Sequence, residues 1–282
     1  GDTLRMWYYG LDQRLSYSGK SQIGYAWSLG GVAWNRYAAN PVFSDSLAWE
    51  DSLIGTCRVI KDGETFKMWY GAGAVPATKI GYATSRDGIK WSRHPQPVLE
   101  LGPAGDWDDS YIFPGTIIKE DGVYKMWYSG STGSFGSNDH VARVGFATSS
   151  DGITWVKFDN SATTDAPFSS SDAKIGVGKS GSWDAQRAWG PCVLPKDSGY
   201  EMWYSGAILA ITEQWIGYAL STNGTSWKKW TGNPMLDTPP DWGQNYFTDT
   251  MLKFDGKYHL WHTTWDISGR RSSIGYLSAV AD

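Results

Sequence analysis

The chain has 282 residues and a net charge of −4. That is long enough to bury a sizeable core and carries no basic footprint for nucleic acid. Its longest apolar runs have the length of strands, which excludes a helical membrane span, and its 18 Trp and 16 Tyr suit either a packed all-β interior or sugar-stacking surfaces.

The first element, RMWYYG (Arg5 to Gly10), returns as KMWYGA from Lys67, KMWYSG from Lys125, EMWYSG from Glu201 and, altered, HLWHTT from His259. Each copy is followed by a second strand: QIGYAWS, KIGYATS, RVGFATS, WIGYALS and SIGYLS. The central Trp residues (Trp7, Trp69, Trp127, Trp203, Trp261) are spaced by 62, 58, 76 and 58 residues. That period suits four-stranded units with generous loops. In the clearest unit, Asp106 to Trp155, an apolar run reads as the innermost strand and the turn EDG leads to the MWY strand. A longer connection leads to RVGFATS, and the turn SDG leads to ITWVKF as the outermost strand. Asp-Gly and Asn-Gly supply the positive φ of tight hairpins.

The expected fold is therefore all-β, a single five-bladed β-propeller of mainly four-stranded antiparallel blades over residues 1–282. The first copy shows no innermost strand and the last no outermost one. The chain opens at Gly1 inside a repeat, as after removal of a leader or an expression tag; a secreted or periplasmic location is expected. Cys57 and Cys192 stand in nearly equivalent positions of non-adjacent repeats, too far apart by that reading for a disulfide, and are expected as free buried thiols. The turns within blades are short and monotonous, whereas the remaining connections are long and differ from one another. Sites are expected among the long ones.

The phrases KMWYSG, IGYATS and DGIKW, with the ending Pro97 to Leu99 and the Trp–Asp openings, resemble the five-bladed propellers of the glycoside hydrolase family 43, 32 and 130 superfamily. The resemblance implies glycoside hydrolases and some sugar phosphorylases, acting on terminal sugars or plant polysaccharides. It also implies, for family 43, two Asp and one Glu on innermost strands. Here that column holds Cys57, Gly115, Pro191 and Asp249, so the triad is not carried across.

The repeat serves as an internal alignment. Glu50, Asp108 and Asp184 each follow a Trp in three units and read as scaffold, satisfying backbone donors. The next column, Asp51, Asp109, Ala185 and Gly243, is acidic only twice. Asp51 and Asp109, with Asp249, are the candidate catalytic carboxylates, since paired carboxyls act as acid and base. The alternatives for the pair are two solvated loop aspartates or a structural calcium site; no cofactor is called for. Two columns on stand Leu53, Tyr111, Arg187 and Asn245, the variety a substrate-lined site would show. Arg187 brings a planar fork of donors. Trp189 shares a column with Phe113 and Phe247, either as packing or as a sugar platform. Arg58 is a charge inside an inner strand, with Asp249 a possible partner. His262 replaces the Tyr of the other four copies, and His140 sits with Asp139 in the long connection from Ser131 to Ala142. Substrate contacts are thus expected from Arg58, Tyr111, Arg187, Trp189, Asn245, His262 and His140. Three functions compete: a glycoside hydrolase binding a glycan terminus, a glycan-binding propeller without catalysis, and an enzyme of different chemistry on this scaffold. The expected partner is a sugar or oligosaccharide, and the expected state a monomer.

Overall fold

A computed structural model describes residues 3–11, 20–51, 53–74, 77–133, 137, 139–208, 214–235, 247–265 and 272–281. The five repeats give strands in the expected order. The first contributes β1 (Leu4–Leu11), β2 (Ser21–Ser28) and β3 (Asn35–Arg36). The second gives β4 (Ile54–Asp62), β5 (Thr65–Ala72), β6 (Lys79–Ser85) and β7 (Ser92–Arg93). The third gives β8 (Tyr111–Glu120), β9 (Val123–Ser131), β10 (Ala142–Ser149) and β11 (Val156–Lys157). The fourth gives β12 (Arg187–Lys196), β13 (Gly199–Ala207), β14 (Trp215–Ser221) and β15 (Lys228–Lys229), and the fifth β16 (Phe247–Phe254), β17 (Lys257–Trp265) and β18 (Ser272–Val280). The only helical element among the described residues is one 3-10 turn, Ala48–Glu50. No helix is long and apolar enough to cross a membrane.

The chain forms two compact units. One comprises Gly1–Leu101, Tyr111–Met126 and Thr148–Val156; the other comprises Gly102–Ser110, Trp127–Ala147 and Lys157–Asp282. In the first, β4 to β7 form a four-stranded antiparallel meander, and β1 to β3 a three-stranded one. In the second, β12 to β15 and β16 to β18 form equivalent meanders. The outermost strands are shorter than the sequence suggests. Of ITWVKF, Val156–Lys157 form the strand, and Phe158 N–H adds one bond to Phe146 O at 2.8 Å. The preceding residues are held by their own turn: Asp151 Oδ1 accepts the N–H groups of Ile153 and Thr154, and the Trp155 indole donates to Gly152 O at 3.0 Å.

The Trp and the Tyr of the MWY motif have separate tasks. The Trp of one repeat donates its indole N–H to the turn glycine carbonyl of the next. Trp7 reaches Gly88 O at 2.8 Å and Trp69 reaches Gly152 O at 2.8 Å in the first unit, and Trp127 reaches Gly224 O at 2.7 Å in the second. The Tyr donates to the acid that follows the opening Trp: Tyr70 to Glu50 (2.7 Å), Tyr128 to Asp108 (3.0 Å), Tyr204 to Asp184 (3.3 Å). A cation from the outermost strand closes each set. Arg93 meets Glu50 at 3.1 Å, Lys157 meets Asp108 at 2.6 Å and Lys229 meets Asp184 at 2.6 Å. The glycine of the third strand lies beneath that Tyr ring. A Cβ at Gly81, Gly145 or Gly217 would overlap Tyr70, Tyr128 or Tyr204, and the opening Trp as well.

The acid column is thus scaffold. Cys57 and Cys192 are buried thiols. Replacing Trp127 by Phe removes an indole hydrogen bond at a fully buried position and leaves a void. Chemical denaturation should show a loss of about 2–3 kcal/mol. A loss below about 0.5 kcal/mol would contradict the latch.

Candidate active site

The innermost strands are interrupted at one place in each repeat where the register is resolved. The ladder slips between Ile54 and Cys57 in β4, between Trp189 and Cys192 in β12, and between Thr248 and Thr250 in β16. A bulge of this kind re-aims the side chains around it. In β12 it is built on Gly190, whose φ of +61° is the left-handed region that glycine enters without steric cost. The bulges of the second unit are pinned by a run of small hydroxyls. Gly190 N–H donates to Ser129 Oγ at 2.9 Å, and Thr248 N–H donates to Ser205 Oγ, also at 2.9 Å. Thr248 Oγ1 donates to Gly190 O and lies 3.0 Å from Ser205 Oγ. With its one proton on the carbonyl, Thr248 accepts from Ser205. The repeat column Gly71, Ser129, Ser205 and Thr263 carries this signal in the sequence, where the aromatics beside it drew attention instead.

Arg187, at the head of β12, is fully buried. It pairs with Ala142 of β10 on one side and Ala207 of β13 on the other. Its guanidinium carbon lies 5.9 Å from the Trp189 ring centroid. Among the described residues, none of its three guanidinium nitrogens has a hydrogen-bond partner, and burial lowers its pKa. His140 stands edge-on to Trp189 with centroids 6.0 Å apart, and its Nε2 is 3.1 Å from Ser131 Oγ. Trp189 also meets Phe247 at 5.6 Å. Hemmed by these groups and buried, Trp189 is a wall of the site and not an open sugar platform. Gln214 is a second buried polar side chain in this unit whose amide nitrogen and oxygen have no partner among the described residues.

Asp249 occupies the bulge of β16 and is half-buried. One carboxylate oxygen, Oδ2, accepts from Thr263 Oγ1 at 2.5 Å. His262 is fully buried one residue before Thr263, opposite Thr248 in the ladder.

The second unit therefore holds Arg187, Trp189, His140, His262 and Asp249 of the expected site. The rest stand otherwise. Asp109 is folded back on its own loop, its Oδ2 accepting Gly105 N–H and its Oδ1 the Ser110 hydroxyl, both at 2.8 Å. Asp51 is exposed in the first unit, directly after the 3-10 turn, at φ +42°. Arg58 is half-buried and donates to the adjacent Cys57 carbonyl at 2.9 Å. Tyr111 is buried and stacks on Phe113 at 6.3 Å. Asn245 lies outside the described residues. No group of three or more His, Cys, Asp or Glu able to hold a metal occurs among the described residues.

Burial lowers both imidazoles from the ordinary 6.5 to about 4. For His140 the Arg187 charge adds to the effect and Asp139 opposes it. The unfolded chain takes up these protons near pH 6.5, the folded chain only near pH 4. The stabilisation is thus complete above pH 6.5 and lost as pH falls toward 4, on the order of 3 kcal/mol per histidine. Thermal melts should fall across that window and fall less in His262→Gln. A melting temperature flat from pH 7 to 4 would remove both histidines from the neutral state assigned here.

No protein-family model matches the chain. An uncharacterised protein of Mycobacterium tuberculosis (strain CDC 1551 / Oshkosh) is 30% identical over 222 residues, 73% of this chain and 64% of the relative. The chain thus spans less than two thirds of that relative's length. A beta-1,2-mannobiose phosphorylase of Thermoanaerobacter sp. (strain X514) is 24% identical over 179 residues, covering 59% of this chain and 52% of the relative. Among solved structures, a protein described with the family 130 mannoside phosphorylases and glycoside hydrolases superposes with a TM-score of 0.72 at 17% identity, covering 99% of this chain and 83% of that one. The chain has the fold of the glycosidase-like β-propeller superfamily. Within that superfamily, the phosphorylase and the solved structure named here are mannoside-active proteins, the latter of family 130.

Proposed function

We propose that this protein is a carbohydrate-active enzyme that cleaves a glycosidic bond, holding a glycan terminus at the bulged inner strands of the second unit. The observation that carries the reading is that, on a glycosidase-like scaffold, Arg187 and His140 both lie against Trp189, while Asp249 stands in the bulge of β16, a strand packed on β12. Asp249 serves as the acid/base carboxylate, oriented by Thr263. Arg187 and His140 bind and orient the sugar, and the small hydroxyls Ser129, Ser205 and Thr248 hold the strands in their bulged form. The five sheet units are read as the blades of one propeller, with the protein acting as a monomer on a sugar or oligosaccharide.

A second reading, glycan binding without catalysis, is favoured by the position of Asp109, whose two oxygens are engaged by its own loop. Inverting hydrolysis needs two carboxyls about 6.5–9.5 Å apart, and Asp109 is not held as a free partner. Product analysis on a panel of aryl glycosides and oligosaccharides, with and without inorganic phosphate, separates the readings. Turnover supports the enzyme. Sugar binding with no turnover supports the second reading, and the absence of both overturns the two together.

A further inference from the structure

We propose that Arg187 receives the carboxylate of an acidic sugar, so that the glycan handled at this site carries a uronic acid unit. This rests on the carbohydrate reading of the same site and goes beyond it in naming the substrate class.

The argument begins with how the chain treats its other buried charges. Among the described residues, the remaining buried Asp and Glu all have partners. Glu50, Asp108 and Asp184 each hold a Tyr and a cation. Asp106 accepts the backbone N–H and hydroxyl groups of both Ser169 and Ser170. Glu201 accepts from Tyr218 and Tyr258 at 3.0 and 2.8 Å. Arg187 alone of this set has none. An uncompensated buried ion costs several kcal/mol. The fold does not require it, because the same position of the third repeat, paired through Thr78 just as Arg187 is paired through Ala142, carries the neutral Tyr111. A cation that the scaffold does without, kept out of water with every donor unused, is arranged for an anion that is not part of the chain.

The chemistry of the surroundings selects the anion. A guanidinium is a planar fork that matches a carboxylate with two parallel N–H···O bonds. His140 is a base within reach of the Arg187 charge, and burial together with that charge keeps it neutral near pH 7. Of this pair, Arg187 alone is charged, and its single positive charge is balanced by one carboxylate. A phosphate dianion would need a second cation, and among the described residues no Lys or further Arg acts on the Arg187 charge, which burial alone perturbs. Trp189 lies against the guanidinium on one side, and Asp249 stands half-exposed in the bulge of the packed strand β16.

The test is titration calorimetry on the full chain with D-galacturonate and D-glucuronate against D-galactose and D-glucose. It is run on the native protein and on Arg187→Met and Arg187→Tyr, the latter copying the third repeat. At least one uronate should bind tenfold or more tighter than its neutral counterpart. Both variants should erase that difference while melting at the native temperature or above. Equal binding of uronate and neutral sugar overturns this inference and leaves the carbohydrate reading standing. Binding of neither class overturns both. Displacement of the uronate by inorganic phosphate or sulfate at lower concentration than the uronate itself assigns the site to a tetrahedral anion and overturns the proposal. So does a clear fall in melting temperature in both variants, which would show that Arg187 has a structural partner.

Discussion

Asp249→Asn is expected to lower kcat/KM for glycosidic cleavage by about 10²- to 10⁴-fold, the range that a positioned acid or base contributes. The folded state should be nearly unchanged. Asp249 sits in a bulge, so its backbone is outside the regular ladder, and the amide oxygen of Asn accepts the Thr263 hydroxyl as the carboxylate does. The substitution therefore removes a titrating proton while keeping shape and hydrogen bond. Thr263→Val is the complementary change. It leaves the carboxylate but frees its orientation, and should lower kcat with a smaller effect than Asp249→Asn. Steady-state kinetics alongside thermal melts check both. Turnover undiminished in Asp249→Asn would remove this residue from the chemistry.

The second large effect is one of stability and falls on neighbouring residues with opposite expectations. Asp108→Ala should cost about 3–5 kcal/mol, the cost of breaking a buried ion pair by removing one partner. It strands the Lys157 ammonium, 2.6 Å from the lost carboxylate, and the buried Tyr128 hydroxyl. Burial and the Asp108 charge together hold that phenol well above its usual range. Asp109→Ala should cost about 1 kcal/mol or less, since its bonds to Gly105 N–H and Ser110 are local and partly wet. Urea denaturation of the two variants measures the contrast. Equal losses would mean that the acid column is not the scaffold described here.

The same contrast shows what the sequence made legible. Glu50, Asp108 and Asp184 recur with a Trp before them and an MWY strand after, and three repetitions are enough to identify a structural role. Arg187 and His262 stand out because they break their columns, and both are buried in the second unit. His262 replaces the Tyr whose partners in the second, third and fourth repeats are an acid and an outer-strand cation. Among the described residues the fifth repeat has no outermost strand, and the column of the acid carries none there, so the Tyr has lost the reason for its hydroxyl. Asp51 and Asp109 were less legible. An acidic pair in one column says nothing about where the side chains turn, and in Asp109 a loop glycine and a serine decide it. The short outer strands escaped the reading for a similar reason. The apolar alternation of ITWVKF looks like a strand, but the Asp151 carboxylate engages the N–H groups that a strand would have offered to its neighbour.

The indole latches carry one more consequence. Trp7, Trp69 and Trp127 each fasten to a main-chain carbonyl, and that acceptor is indifferent to the side chains around it. The turns can read RDG, SDG or TNG without loosening the grip, provided the glycine keeps its left-handed bend. Joints between successive repeats are thus insulated from most substitutions in the turns they hold. The long connections at the far ends of the strands are left free to take up new lengths and new chemistry, while the framework that aims them stays fixed.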